Sequence, residues 1–166
     1  MRHAPEPVRA PQTLSLPDAT ATERLGARLA ACLRPGLVLY LEGDLGAGKT
    51  TLTRALLRKL GHMGPVKSPS YSLVEVYAVS RLYLYHFDFY RFLSPEEFDD
   101  AGLGEYFRND SICVVEWPEK AHGYVPAADL RLFLAHDGAG RNCIPEAQSV
   151  EGRQCLNRLL SRWEDC

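Results

Sequence analysis

Gly43, Gly48, Lys49 and Thr50 stand in the order Gly-x-x-x-x-Gly-Lys-Thr within LEGDLGAGKTTLTRALLRKLG, residues 41–61. That spacing is the one a phosphate-binding loop requires. Glycines 43, 46 and 48 allow the backbone to curl with its N–H groups inward and no Cβ in the way. The following helix turns its positive N-terminal end toward the anion. Lys49 is placed to reach β- and γ-phosphates, and the Thr50 hydroxyl to ligate Mg²⁺. Because Lys49 serves phosphate and not the core, it is expected to be exposed in an empty loop. The alternative is a glycine-rich turn that binds nothing. By composition, four fixed positions match at a given start with a probability on the order of 10⁻⁵ to 10⁻⁴, which argues against that alternative.

Such a loop needs a carboxylate at the end of a neighbouring strand, to hold Mg²⁺ directly or through water. Two acids follow strand-like apolar sequence: Glu116 after SICVV and Asp88 in YHFDFYR. Asp88 could instead pair with nearby Arg91, and Glu116 could be a solvated strand end. His86 reads equally as a hydrogen-bonded strand histidine or a site residue. In VKSPSYSLVE (66–75), Ser68 and Ser70 flank Pro69, which pins the backbone. The segment reads either as a turn into a strand or as a loop that orders around a γ-phosphate. Trp117, between Glu116 and Pro118, could be a buried anchor or an exposed contact.

The elements that must position these groups follow from periodicity. TLSLP is a short strand. A helix capped by Asp18 or Thr20 carries Leu25, Leu29, Cys32 and Leu33 on one stripe and stops at Pro35-Gly36. LVLYLE (37–42) is a continuous apolar run, as in a central parallel strand. The helix after the loop runs from Lys49 to about Leu60, with Leu52, Ala55, Leu56 and Leu60 apolar. YSLVEVYAV and LYLYHFDFY form a hairpin turning at Ser80-Arg81. Leu84, His86 and Asp88 share one face of the second strand, and Tyr85, Phe87 and Phe89 the other. SPEEFDDAG predicts a helix capped by Ser94 and closed by Gly102, with Glu97 completing a capping box. DLRLFLAH and NCIPEA form a hairpin around residues 137–140. A last helix starts near Ser149. The expected fold is α/β: a single P-loop domain over residues 12–166, with a mixed sheet flanked by helices and a disordered tail at 1–11.

The chain has 166 residues, 46% hydrophobic and 24% charged, ordinary for one globular domain. A net charge of −2 and the lack of a lysine- or arginine-rich run predict poor tRNA binding by the isolated chain. Five cysteines without a C-x-x-C pair argue against a zinc site and fit a reducing, cytoplasmic setting. The start MRHAPEPVRAPQ has no apolar h-region, so it does not read as a signal peptide.

Together GDLGAGKTTLTR (43–54), VKSPSYSLVEVY (66–77), YHFDFYR (85–91) and VVEWPE (114–119) resemble the TsaE family, formerly YjeE. The resemblance spans residues 14 to 160. It implies a P-loop ATPase of threonylcarbamoyladenosine formation in tRNA, binding ATP and Mg²⁺, whose weak hydrolysis the TsaB–TsaD complex stimulates. It implies nucleotide contacts along Gly43, Asp44, Leu45, Gly46, Ala47, Gly48, Lys49, Thr50 and Thr51, with Thr22 and Arg141 close by. It also implies a metal-associated Glu116, a second acid Asp88 needed for activity, a switch-like loop at Ser68 and Ser70, and a functionally sensitive Trp117. Ser70 departs from the family's usual threonine but keeps the hydroxyl. The proline-rich start and Pro145 are also unusual.

The rival readings are a small-molecule kinase and a non-catalytic nucleotide-dependent adaptor. A kinase usually needs a lid bearing an arginine, and neither Arg91 nor Arg141 lies in a lid-like insertion. A GTPase is disfavoured, since no Asn-Lys-x-Asp is present to read guanine.

Overall fold

The computed structural model describes residues 12–161 and 163; the proposed tail at 1–11 and Cys166 lie outside the described residues. In chain order the elements are β1 (Leu14–Leu16), α1 (Ala19–Cys32), β2 (Val38–Glu42), α2 (Lys49–Lys59), β3 (Val74–Val79) and β4 (Leu82–Asp88). They continue with α3 (Glu97–Asp100), β5 (Ser111–Glu116), β6 (Leu130–Asp137), β7 (Gly140–Ala147) and α4 (Val150–Ser161). The seven strands form one sheet in the order β1-β7-β6-β2-β5-β4-β3. Its centre, β6-β2-β5-β4, is parallel, and both flanks are antiparallel. The mixed α/β sheet is thus the one expected from sequence.

The central strands are apolar on both faces because both are covered. On one face, Leu25, Leu29, Leu52, Leu56 and Leu159 of the three long helices pack on Leu39, Leu41, Val114 and Leu132. On the other, Phe87, Phe89, Phe92 and Phe98 pack with Val38, Cys113 and Val115. Truncating one such leucine to alanine costs about 2–5 kcal/mol. α1 and α2 approach very closely at Gly26, where a Cβ would lie 2.5 Å from the Leu52 carbonyl oxygen and 2.8 Å from Ala55 Cβ. Asp18 caps α1, its Oδ1 accepting from the Ala21 N–H at 2.8 Å.

Both hairpins form where expected. Ser80 and Arg81 take the left-handed conformation a two-residue turn demands (φ 45° and 68°). The β6–β7 strands run further than anticipated, leaving only Gly138 and Ala139 between them. Pro145 lies beyond the three β7 residues that β1 covers, so its missing N–H is tolerated there. One element is corrected: the helix expected from Ser94 to Gly102 is a four-residue α3. The Glu97 carboxylate does accept from the Ser94 N–H at 3.0 Å, but the Ser94 hydroxyl bonds Glu96 instead of a helix N–H. Only half of the capping box forms.

Candidate functional site

β2 ends at Glu42 and α2 begins at Lys49, so residues 43–48 join the carboxyl end of a central parallel strand to a helix N-terminus. This is where open α/β sheets gather ligands. Gly43 (φ 145°) passes against β6, and a Cβ there would drive into the Leu134 carbonyl oxygen. Gly48 (φ 101°) stands at the N-cap of α2 with no side chain closing the helix end. The first N–H groups of α2 therefore lack a side-chain acceptor. Asp44 and Leu45 are exposed at the loop tip, Ala47 is buried, and Thr50 and Thr51 are half-buried. The loop is braced from outside: Arg141 Nη2 donates to the Gly46 carbonyl at 2.9 Å, and buried Thr22 packs beside Gly48.

On the other side of β2 from β6, at the ends of β5 and β4, lie the acids. Asp88 and Glu116 are register partners across the parallel β4–β5 pair. Both are buried, at 4% and 2% exposure. Glu116 Oε2 is 2.6 Å from Nε2 of His86, which has no exposed surface and whose Nδ1 has no partner. Asp88 accepts from the Ser68 hydroxyl and, at 2.8 Å, from the Tyr90 N–H. Arg91 instead lies over the Tyr71 ring at 3.9 Å, so the Asp88–Arg91 pairing is not formed. Glu42, the acid that ends β2, is taken up by a bidentate pair with Arg131 at 2.8 Å.

Lys49 corrects an expectation. It is 6% exposed, with its ammonium donating to the Gly43 carbonyl and lying 4.1 Å from the centre of the Trp117 ring. Burial pushes its pKa below the ordinary 10.5, against the fields of Glu116, Asp88, Glu119 and Asp44. The folded-back lysine fills the ground between loop and acids. Trp117 is half-buried, takes a left-handed conformation (φ 57°) at the end of β5, and packs on Tyr90 with centroids 5.1 Å apart.

A family model described as threonylcarbamoyl adenosine biosynthesis protein TsaE matches residues 16–143. The chain belongs to the TsaE family. A protein of Haemophilus influenzae named tRNA threonylcarbamoyladenosine biosynthesis protein TsaE is 42% identical over 150 residues, covering 87% of this chain and 95% of that one. A Bacillus subtilis protein of the same name is 39% identical over 117 residues, covering 70% and 73%. A crystal structure of Bacillus subtilis YdiB superposes with a TM-score of 0.79 at 30% identity, covering 92% of this chain and 96% of that one.

Within this TsaE chain the fold sets Lys49, Asp88, Glu116, Trp117 and Ser68 together on the β5–β4 side of the loop, while Thr22 and Arg141 brace it from α1 and β7. Ser70 is half-buried close by in sequence, yet the bond to Asp88 is made by Ser68. Sequence reasoning undervalued His86. The signal was its place two residues before Asp88, on the same strand face; the parallel register sets Asp88 opposite Glu116 and so His86 diagonal to it. Tyr90 and Glu119 were missed altogether, because each reaches the site from beyond a strand end, Tyr90 from a turn and Glu119 from a short 3-10 helix at 118–121.

Proposed function

We propose that this chain is an ATP-binding, slowly hydrolysing P-loop protein that serves the threonylcarbamoyl modification of tRNA in the cytoplasm, with the TsaB–TsaD complex as its partner. The observation that carries the reading is the pairing of a glycine loop on an uncapped helix end with two buried carboxylates in register on adjacent strands. The names of the relatives supply the pathway. No helix among the described residues is long and apolar enough to cross a membrane.

In this reading the backbone N–H groups of the loop and the first turn of α2 hold the phosphates. Lys49 leaves the Gly43 carbonyl for them, since a charged acceptor makes the stronger hydrogen bond. Arg141 and Thr22 keep the loop in shape. The Thr50 hydroxyl and Glu116 would hold Mg²⁺, and His86 fixes which way Glu116 points. Among the described residues no group of three or more histidines, cysteines and acids is set to hold a metal. Mg²⁺ takes one or two carboxylates, keeps waters and draws on phosphate oxygens, so Thr50 and Glu116 are the kind of ligands it would use here. The ion supplies charge neutralisation on those oxygens. Asp88 and Glu116 together orient the attacking water. Low activity alone is consistent with Lys49 tied to its own loop and with Ser68 held by Asp88. A partner that moves the 66–77 segment would free Ser68 from Asp88.

Steady-state ATP hydrolysis, with and without purified TsaB–TsaD, tests the proposal. The expected result is slow release of phosphate by the chain alone and a faster rate with the pair. An unchanged rate, or phosphate transferred to a small-molecule acceptor, refutes it.

A further inference from the structure

The outer faces of α1, α2 and α4 enclose a trough whose basic residues play no part in the site above, although Thr51 lines one end of it. One end is a cavity of about 570 Å³ lined by Arg24, Arg28, Arg34 and Arg158. The other, between α1 and α2, is about 530 Å³ and lined by Arg54 and Arg58. Lys59 and Ala27 line both, so the two are continuous. Among the described residues Glu23 is the one acid in the lining. A chain of net charge −2 thus gathers seven of its 19 basic residues in one place.

Helix capping explains part of this. Arg34 donates to the carbonyls of Ala31 (3.2 Å) and Leu33 (3.0 Å), and Arg158 to that of Cys32 (2.7 Å), at the carboxyl end of α1. Arg58 likewise donates to the His62 carbonyl at 3.0 Å. Such bonds fix a guanidinium without neutralising it. Arg24 and Lys59 cap nothing, and no carboxylate among the described residues pairs with Arg24, Arg54, Arg58 or Lys59. Arg158 Nε is buried without a partner.

We infer that this arginine trough is a docking surface for the phosphate backbone of RNA. Planar guanidinium forks match phosphate oxygens, and six of the seven cations are arginines. Among the described residues the lining holds no aromatic ring on which a base could stack, so the surface reads backbone and not sequence. Naming tRNA as the RNA rests on the proposed function. Linear sequence hides the trough because Arg24/Arg28 and Arg54/Arg58 are each spaced by one helical turn, forming a face without forming a run.

About four neutralised phosphates give a log–log salt slope of about −3, so affinity falls roughly 60-fold between 50 and 200 mM salt. Binding by the chain alone stays weak at physiological salt. The test is fluorescence anisotropy of labelled tRNA with the full chain and with the double variant Arg24→Ala/Lys59→Ala. Both residues are exposed, so the variant folds. The expected result is salt-dependent binding whose slope drops by about two in the variant, with ATP binding and hydrolysis unchanged. No binding at 50 mM salt, or an unchanged slope, overturns the inference. Equal displacement by poly-glutamate overturns it in favour of an acidic protein partner, and displacement by millimolar inorganic phosphate in favour of a small anion. Hydrolysis measured on the same samples separates the two readings. RNA binding without ATPase activity refutes the nucleotide role alone, and ATPase activity without RNA binding refutes the trough alone.

Discussion

Replacing Lys49 with Met removes a charge from a buried place while keeping a chain of similar length. The parent lysine gains a hydrogen bond to the Gly43 carbonyl and a stacked contact with Trp117. These are together worth about 1–3 kcal/mol. Against them stands desolvation, the largest influence on Lys49, which outweighs the four carboxylates and leaves its pKa below 10.5. The folded state therefore binds the proton less well than the unfolded chain, so parent stability rises with pH as the lysine range is approached. The terms oppose one another, and the variant should lie within about 1 kcal/mol of the parent at neutral pH, a shift of roughly 2–4 °C in Tm. Any stability advantage of the variant should shrink as pH rises toward 10.5. Nucleotide binding should suffer much more. The lost charged contacts to phosphate are worth about 3 kcal/mol or more, at least roughly a hundredfold in Kd. Thermal melts across pH and isothermal titration with ATP measure both. A Tm loss beyond about 8 °C, or a Kd within threefold of the parent, refutes the reasoning.

Glu116→Gln and Asp88→Asn should each lower the hydrolysis rate at least about tenfold while shifting the ATP Kd by less, because loop amides and Lys49 still hold the phosphates; folded variants that fail to bind ATP would reverse those roles. Gly43→Ala should destabilise the chain by more than about 2 kcal/mol, since its Cβ meets the Leu134 carbonyl at a φ that alanine avoids; an unchanged denaturation midpoint would contradict that close approach. Cys113, Cys143 and Cys155 are buried, which pushes each thiol up to about 12, so none should react with iodoacetamide at pH 8 until the chain unfolds. Mass spectrometry showing native alkylation at these three would count against the packing described.

Much of this was legible because the signals were local. The loop glycines, the apolar run of β2 and the Ser80-Arg81 turn each announce themselves within a few residues. So does the alternation that puts His86 and Asp88 on one face of β4. What could not be read depends on distant partners. Lys49 was expected in solvent because nothing near it in sequence forecasts Trp117 and the acids closing over it. α3 failed because Ser94 found a carboxylate in place of a helix N–H. The arginine trough needs three helices from both ends of the chain, so no window of sequence contains it.

The close approach at Gly26 has a consequence for how this molecule opens. With the Leu52 carbonyl where a side chain would otherwise sit, α1 cannot slide or lift without breaking contact along α2. The two helices then form a single cooperative unit, and their amide protons near Leu25–Leu29 and Leu52–Leu57 should exchange with solvent at one shared opening free energy. Because Lys49 begins α2, each such shared opening would also dismantle the phosphate loop, and α1 amides exchanging at a lower free energy than those of α2 would refute the coupling.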